Sequence, residues 1–375
     1  MPFKLNYSSY MNHEFIHIVP GQSFIKIIKG CDYMNSTNKT LTIDKEKIEQ
    51  LDSLIKSKYD NINGLIIASN SNTSSDNVIF EKYYNDFTEN DRFHIASVTK
   101  SILSALIGIV IDRNYIKSID EKVIDFFPEY ALSNHAHKNN VTSEVTIRNL
   151  LTMTAPYSFE DFKEPLDKLT MSSDWVKYAL DSLGLNGKIG DFKYSTSGAH
   201  ILSAILTRTT HKSAREFANE YLFKPAGMNI IPYNKIEEYN FDTLFGSKLK
   251  GWVHDHAGNS SGGWGLTLTV KDMAQFGLLY LNNGILNNKQ IISKEWINKS
   301  ITIHDGKNDL FNMKYGYMWW LQNDGVFSFS AIGDGGNIIC CIPEKQLVIA
   351  IASTILPNMY DRWQLIKDNI LPAIK

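Results

Sequence analysis

The sequence predicts an α+β fold: one antiparallel sheet built from both ends of the chain and flanked by helices, with a mostly helical region inserted between. Three observations carry that expectation. Short β-rich runs stand near the start, at Gly64 to Ala68 and Val78 to Tyr84, and again near the end, at Val326 to Ala331, Asn337 to Ile342 and Gln346 to Ala352. Between these ends, apolar residues recur at helical spacing. The late runs are separated by Gly-rich and Pro-containing turns, as hairpins require.

In chain order, 1–43 reads as an arm of short apolar pieces, broken by Pro20, Gly21 and Gly30, laid over a larger body. Ile48, Leu51, Leu54 and Ile55 make Asp44 to Tyr59 an amphipathic helix with a charged outer face. The polar stretch Ser69 to Asn77 is the hairpin loop between the first two strands. Ser97 opens the apolar helix that runs to Ile111, and Val123 to Pro128 is a short helix ended by proline. Thr146 caps a helix running to Met153, and helical character continues through Trp175 to Leu183, Gly198 to Thr207 and Ala214 to Leu222. A last helix, from about Met359 to Ile370, closes the chain. The boundaries that follow are 1–43 for the arm, 44–95 with 300–375 for a sheet domain, and 96–299 for a mainly helical domain, with the active site at their interface.

Bulk properties narrow the function. A chain of 375 residues, 43% of them hydrophobic, buries a large core. Net charge is −2 and the pI is near 6.6, with lysines scattered among acids. That lacks the basic stripe of a nucleic-acid binder, so no such partner is expected. Cys31, Cys340 and Cys341 are an odd set with two adjacent in an apolar segment, which suits a reducing compartment better than a disulfide framework. A basic leader and a membrane-length apolar window are both missing, so the expectation is a soluble, cytoplasmic protein without a membrane span.

Ser97 and Lys100, three positions apart at the first turn of an apolar helix, share one helix face. The helix start adds N–H groups and the positive dipole end, which favour developing negative charge. Spacing alone is not distinctive, because S-x-x-K also occurs at Ser23/Lys26, Ser36/Lys39, Ser53/Lys56 and Ser247/Lys250, all in polar surroundings. Lys100 instead enters a buried helix, where an ammonium needs a partner or a lowered pKa. The pair is therefore either a nucleophile with its base or a capping serine followed by a snorkelling lysine.

Asp191 to Gly198 forms a polar turn opening another apolar helix. There Tyr194 could relay a proton or simply be a core phenol, and Ser195 and Thr196 could cap the helix. Ile332 to Asn337, between two strand runs, offers either close backbone approach to a ligand or a plain hairpin turn. Gly258 to Gly262 matches G-x-S-x-G, but Trp252 to His256 makes a poor strand before it and Gly263-Trp264-Gly265 cannot begin a helix, so the match is chance. His135-Ala136-His137 and His254-Asp255-His256 lack zinc-site spacing, so no metal is expected. With no phosphate loop or dinucleotide fingerprint after a strand, no cofactor is expected either.

Taken in order, Ile95 to Lys100, Tyr194-Ser195-Thr196 and Gly333 to Asn337 resemble the motifs of the penicillin-recognising serine hydrolases, in the class C β-lactamase-related branch with its esterases and 6-aminohexanoate-dimer hydrolases. Val145 to Thr154, Gly262 to Gly277 and Tyr315 to Trp320 resemble further family segments, and the likeness runs from about Asp44 to the end. The resemblance implies a β-lactamase/transpeptidase-like fold and an acyl-enzyme mechanism. Ser97 would attack a carbonyl, Lys100 and Tyr194 would share the proton work, and the N–H groups of Ser97 and Asn337 would form the oxyanion hole.

Two departures bear on substrate. The second motif ends in Thr196 where family β-lactamases carry asparagine, and Asp334 stands where lysine or histidine is usual. An aspartate repels the carboxylate of a β-lactam or a D-Ala-D-Ala terminus. Thr196, Asp334, Gly335, Gly336 and Trp264 are the expected substrate-binding residues. Trp264, with Tyr317, Trp319 and Trp320, would favour an apolar acyl or alcohol part if these rings line the cleft. The expected function is a serine hydrolase acting on a small-molecule ester or amide. A β-lactamase or D-alanyl-D-alanine peptidase, and a non-catalytic binding protein on the same scaffold, are the alternatives.

Overall fold

The computed structural model describes residues 41–70, 77–133, 141–160, 163–185, 187–246, 248–304, 313–356 and 361–375. The arm up to residue 40, Cys31, and the His135/His137 pair lie outside them. Eleven strands are described: β1 (Ile62–Ser69), β2 (Val78–Tyr83), β3 (Phe93–His94), β4 (Thr267–Leu268), β5 (Ile285–Leu286), β6 (Lys289–Gln290), β7 (Lys314–Tyr315), β8 (Trp320–Asn323), β9 (Phe327–Gly333), β10 (Asn337–Ile342) and β11 (Leu347–Ser353). Seven of them form one antiparallel sheet in the order β2-β1-β11-β10-β9-β8-β7, while β3 pairs with β4 and β5 with β6. Both ends of the chain thus feed one sheet, with β1 from the first and β11 from the last paired one strand in from the β2 edge.

Burial on both faces explains why β11 reads as an unbroken apolar run. Its odd positions Leu347, Ile349 and Ile351 pack with Leu51 and Ile55 of α1 (Lys45–Lys58) and with the C-terminal residues Leu365, Ile366 and Ile370. Its even positions Val348, Ala350 and Ala352 join the larger core on the opposite face. The helices of more than ten residues in that larger core are α2 (Val98–Asp112), α3 (Thr196–Thr210) and α4 (Val270–Leu281). Among the described residues no helix is long and apolar enough to cross a membrane.

Helix α4 belongs to the 96–299 stretch but packs directly on the sheet. A Cβ on its Gly277 would stand 2.5 Å from Val348 Cγ1, and one on Gly64 of β1 would stand 2.7 Å from Val270 Cγ2. Two glycines therefore let the helix and the sheet approach each other.

Several local expectations meet the structure closely. Thr146 forms a capping box with Asn149 at the helix Ile147–Leu151, and the amphipathic helix expected over Asp44 to Tyr59 is α1, Lys45–Lys58. Pro128 behaves differently from the expectation. It does not end a helix but opens one, Pro128–Ser133, directly after the 3₁₀ turn Val123–Phe126. At a first helical position proline loses no hydrogen bond and its fixed φ suits the helix.

The close helix–sheet contact has a measurable consequence. Gly277→Val should cost about 1–3 kcal/mol by overpacking, read as a lower urea midpoint at an unchanged denaturant slope. An unchanged midpoint would contradict the packing described.

Candidate active site

Ser97 occupies the N-cap position of α2 and is half-buried at the boundary between helix and sheet. Its side chain makes no capping bond, and its backbone is already helical, with φ −69° and ψ −6°. The capping alternative therefore does not describe this serine. Immediately before it, Ala96 has a φ of +48°, a left-handed conformation that alanine adopts only at a cost. Neighbouring contacts hold the strained turn: β3 pairs with β4, Ile95 N donates to Leu266 O at 3.1 Å, and Val98 N donates to Ile95 O at 3.2 Å.

Lys100 is 1% exposed. Its Nζ lies 3.2 Å from Ser97 Oγ, 3.2 Å from Thr196 Oγ1 and 3.0 Å from Gly263 O. The amine also sits 4.7 Å from the centre of the Tyr194 ring. Burial pushes its pKa down to about 8, although the charges of Glu164 and Asp334 pull upward. Of the three oxygens, only the Gly263 carbonyl has no proton to give. A neutral amine can therefore donate one N–H to Gly263 O and one to Thr196 Oγ1, leaving its lone pair to accept the Ser97 hydroxyl proton. Gly263 must be glycine for this approach, since a Cβ there would stand 2.5 Å from Thr196 Cγ2 and 3.2 Å from Lys100 Nζ.

Tyr194 is half-buried just before α3. Its chain is held on both sides by Met153: Lys193 N donates to Met153 O at 2.7 Å, and Ser195 N lies 3.2 Å from Met153 Sδ. Burial raises the Tyr194 phenol well above its ordinary pKa, and hydrogen bonding with Ser97 offsets only part of that rise. The ring stacks on Trp320 at 5.7 Å and meets Tyr315 edge-on at 6.2 Å. Ser195 caps α3, accepting from Gly198 N at 2.9 Å.

The turn after β9 completes the cluster. Gly333 packs against the start of α2, where a Cβ on it would stand 2.9 Å from Ser97 N and 2.4 Å from Ile95 O. Gly333 is thus placed beside the Ser97 amide. The Asn337 side chain is fully buried, with Nδ2 donating to Asp334 O at 2.7 Å and Oδ1 accepting from Ser353 N at 3.0 Å. From outside, Asn61 Nδ2 donates to Gly335 O at 2.7 Å and Arg362 Nε donates to Gly336 O at 3.3 Å. Asp334 is half-buried, and its charge is felt by both Lys100 and Tyr194.

Trp264, 5% exposed, stands beside Gly263, stacked against Trp175 at 5.3 Å and Phe245 at 5.6 Å. Tyr317 and Trp319 are 1% and 0% exposed and belong to the core, whereas Trp320 stacks on Tyr194. The serines of the G-x-S-x-G match have structural roles or surroundings: Ser260 Oγ accepts from Arg215 N at 3.1 Å, and Ser261 is fully buried. Asp255 pairs with buried His200 at 3.0 Å, and His254 Nε2 lies 3.1 Å from Asn234 O. No group of metal-ligating side chains occurs among the described residues.

The sequence reading did not single out Glu164, a buried carboxylate accepting from Thr196 N and Ser197 N at 2.5 and 2.7 Å. Nothing local marks it, since it is one acid among several before Pro165. Gly263 as a partner of Lys100 was also missed, although the run Gly262-Gly263-Trp264-Gly265 marks a place of close approach.

Comparison with known proteins agrees with this picture. The family model described as Beta-lactamase matches residues 67–368. A 6-aminohexanoate-dimer hydrolase of Paenarthrobacter ureafaciens is 22% identical over 316 residues, covering 78% of this chain and 74% of that one. Among solved structures, an octameric penicillin-binding protein homologue from Pyrococcus abyssi has a TM-score of 0.64 at 21% identity, over 87% of this chain and 77% of its own. EstCE1, described as a hydrolase with promiscuous acyltransferase activity, has a TM-score of 0.63 at 15% identity, over 87% and 98%. At these identities the structures report on fold alone.

Only the unprotonated amine can accept the Ser97 proton. Fluorophosphonate labelling of the protein should therefore accelerate as pH rises through about 8 and level off above it, with roughly a tenfold change per unit on the acid side. A labelling rate flat across that range would contradict the assignment of Lys100.

Proposed function

From the premise that the chain belongs to the beta-lactamase family and is a serine hydrolase, we propose that it hydrolyses a small-molecule ester or amide through an acyl-enzyme on Ser97. The observation that carries this reading is the buried Lys100 amine, 3.2 Å from the hydroxyl of a half-buried serine that caps nothing. An amine lowered to about 8 and a phenol raised by the same burial divide the proton work between them. Lys100 is the general base and Tyr194 the neutral donor.

In acylation, Ser97 Oγ bonds to the substrate carbonyl carbon while its proton passes to Lys100 Nζ. Charge gathers on the carbonyl oxygen, held by the N–H of Ser97 and an amide of the Gly333 to Asn337 turn. The bond to the leaving group then breaks, and that group takes a proton from the Tyr194 hydroxyl, which is replaced from the Lys100 ammonium. Water, giving a proton to the same amine, attacks the acyl carbon; the bond to Ser97 Oγ then breaks, Oγ takes the proton back from the Lys100 ammonium, and the carboxylic acid product leaves.

Substrate preference follows from charge. Thr196 supplies a hydroxyl rather than a side-chain amide, and Asp334 places a negative charge near both Lys100 and Tyr194. Both disfavour an anionic acylamino substrate such as a β-lactam, and both suit a neutral or amine-bearing ester or amide. The name of the 6-aminohexanoate-dimer hydrolase supports the same reaction class.

Two variants test the reading with p-nitrophenyl acetate or butyrate as substrate. Ser97→Ala should abolish both turnover and fluorophosphonate labelling. Lys100→Met should keep the fold and lower kcat/KM by about 100-fold or more. Labelling that persists in Ser97→Ala, or efficient nitrocefin turnover by the wild type, would overturn the proposal.

A further inference from the structure

Glu164 lies outside the reaction scheme above, yet it is the acid most closely tied to it. The residue is 9% exposed, and its two carboxylate oxygens accept separately from Thr196 N at 2.5 Å and Ser197 N at 2.7 Å. These are the first two residues of α3, a 15-residue helix whose N-terminal amides lack partners within the helix. Thr196 carries both contacts that matter: its amide is bound by Glu164 and its hydroxyl faces Lys100 Nζ at 3.2 Å. Three contacts in succession thus join the carboxylate to the candidate nucleophile: Glu164 Oε2 to Thr196 N, Thr196 Oγ1 to Lys100 Nζ, and Lys100 Nζ to Ser97 Oγ.

Resting on the reaction proposed above, we infer that Glu164 is a positioning residue for the Ser97–Lys100 pair: bound to the α3 amides, its carboxylate fixes the Thr196 hydroxyl against the amine and supplies a buried negative charge that the amine faces. The charge has few competitors. Lys100 is surrounded by the hydroxyls of Ser97 and Thr196, the Gly263 carbonyl and the Tyr194 ring, and the acids acting on it are Glu164 and then Asp334. Glu164 in turn faces the α3 amides, the Ser197 hydroxyl and Lys100, and its charge is felt by Tyr157, Tyr178 and Tyr194. Burial raises the Glu164 carboxyl, while the Ser197 and Thr196 bonds and Lys100 pull it back.

The two parts of this role separate by experiment. In Glu164→Gln the side chain keeps its shape and can still accept from an α3 amide, but the charge is gone. Losing a negative neighbour lowers the proton affinity of Lys100. The acid limb of kcat/KM for a p-nitrophenyl ester should therefore move to lower pH, by roughly half to one unit, while Glu164→Asp leaves the limb where the wild type has it. Acetate should restore both rate and limb position in Glu164→Ala, and acetamide should not. A limb unmoved in Glu164→Gln, or equal rescue by both additives, would overturn the inference and leave a structural cap only. Should Glu164→Gln not fold, hydrogen exchange on the wild type reads the clamp: slow exchange at Thr196 and Ser197 supports it and unprotected exchange overturns it. Failure of the reaction itself looks different, because Lys100→Met would then keep the wild-type rate.

Discussion

A lysine amine buried inside the first turn of an apolar helix is the constraint on which the site depends. Desolvating an ammonium costs several kcal/mol unless it is paired or neutralised, and Lys100 is only 1% exposed. Here the surroundings supply two hydroxyls and one carbonyl rather than a contacting carboxylate. Such a shell supports a neutral amine as well as a charged one, which distinguishes a proton acceptor from a structural ion pair. Acids that stay at a distance, Glu164 and Asp334, moderate the shift without quenching it.

Everything around that amine is arranged at short range by backbone. A strained Ala96 turns the chain so that Ser97 stands at the first turn of α2 with its hydroxyl unused by the helix. Glycines at 263 and 333 let two other segments reach the same point, one bringing a carbonyl to Lys100 and the other a sheet strand to the Ser97 amide. The strand end is itself secured by Asn337, Asn61 and Arg362, which hold the carbonyls of the turn. The sheet formed from both ends of the chain therefore meets α2 and α3 of the helical middle at this place.

How much of this could be read from residues alone follows from the range of the interactions. Alternating and continuous apolar runs report burial locally, so the sheet and α1, α2 and α3 were legible, as was the cap at Thr146. Ser97, Lys100 and Thr196, far apart in sequence for the last, were brought together on paper only through the order of three motifs, and they do converge. Glu164 was silent because its meaning lies in two amides some thirty residues away, with no spacing to betray it. Pro128 misled because proline both ends and begins helices, and the choice is made by the chain on either side. Asn337 was legible only by its place in a motif, and that Gly333, its partner across the β9–β10 ladder, packs on Ser97 is a matter of hairpin register that no single stretch displays.

The central claim is covalent: turnover passes through an ester on the Ser97 hydroxyl. Its most direct measurement is acid quenching during steady-state hydrolysis of a slow p-nitrophenyl ester, followed by intact and peptide-level mass spectrometry. The account predicts one added acyl group, carried by the peptide containing Ser97 and lost on continued incubation without substrate. An unmodified protein throughout turnover, or an acyl group on Ser260 or Ser261 instead, would contradict it.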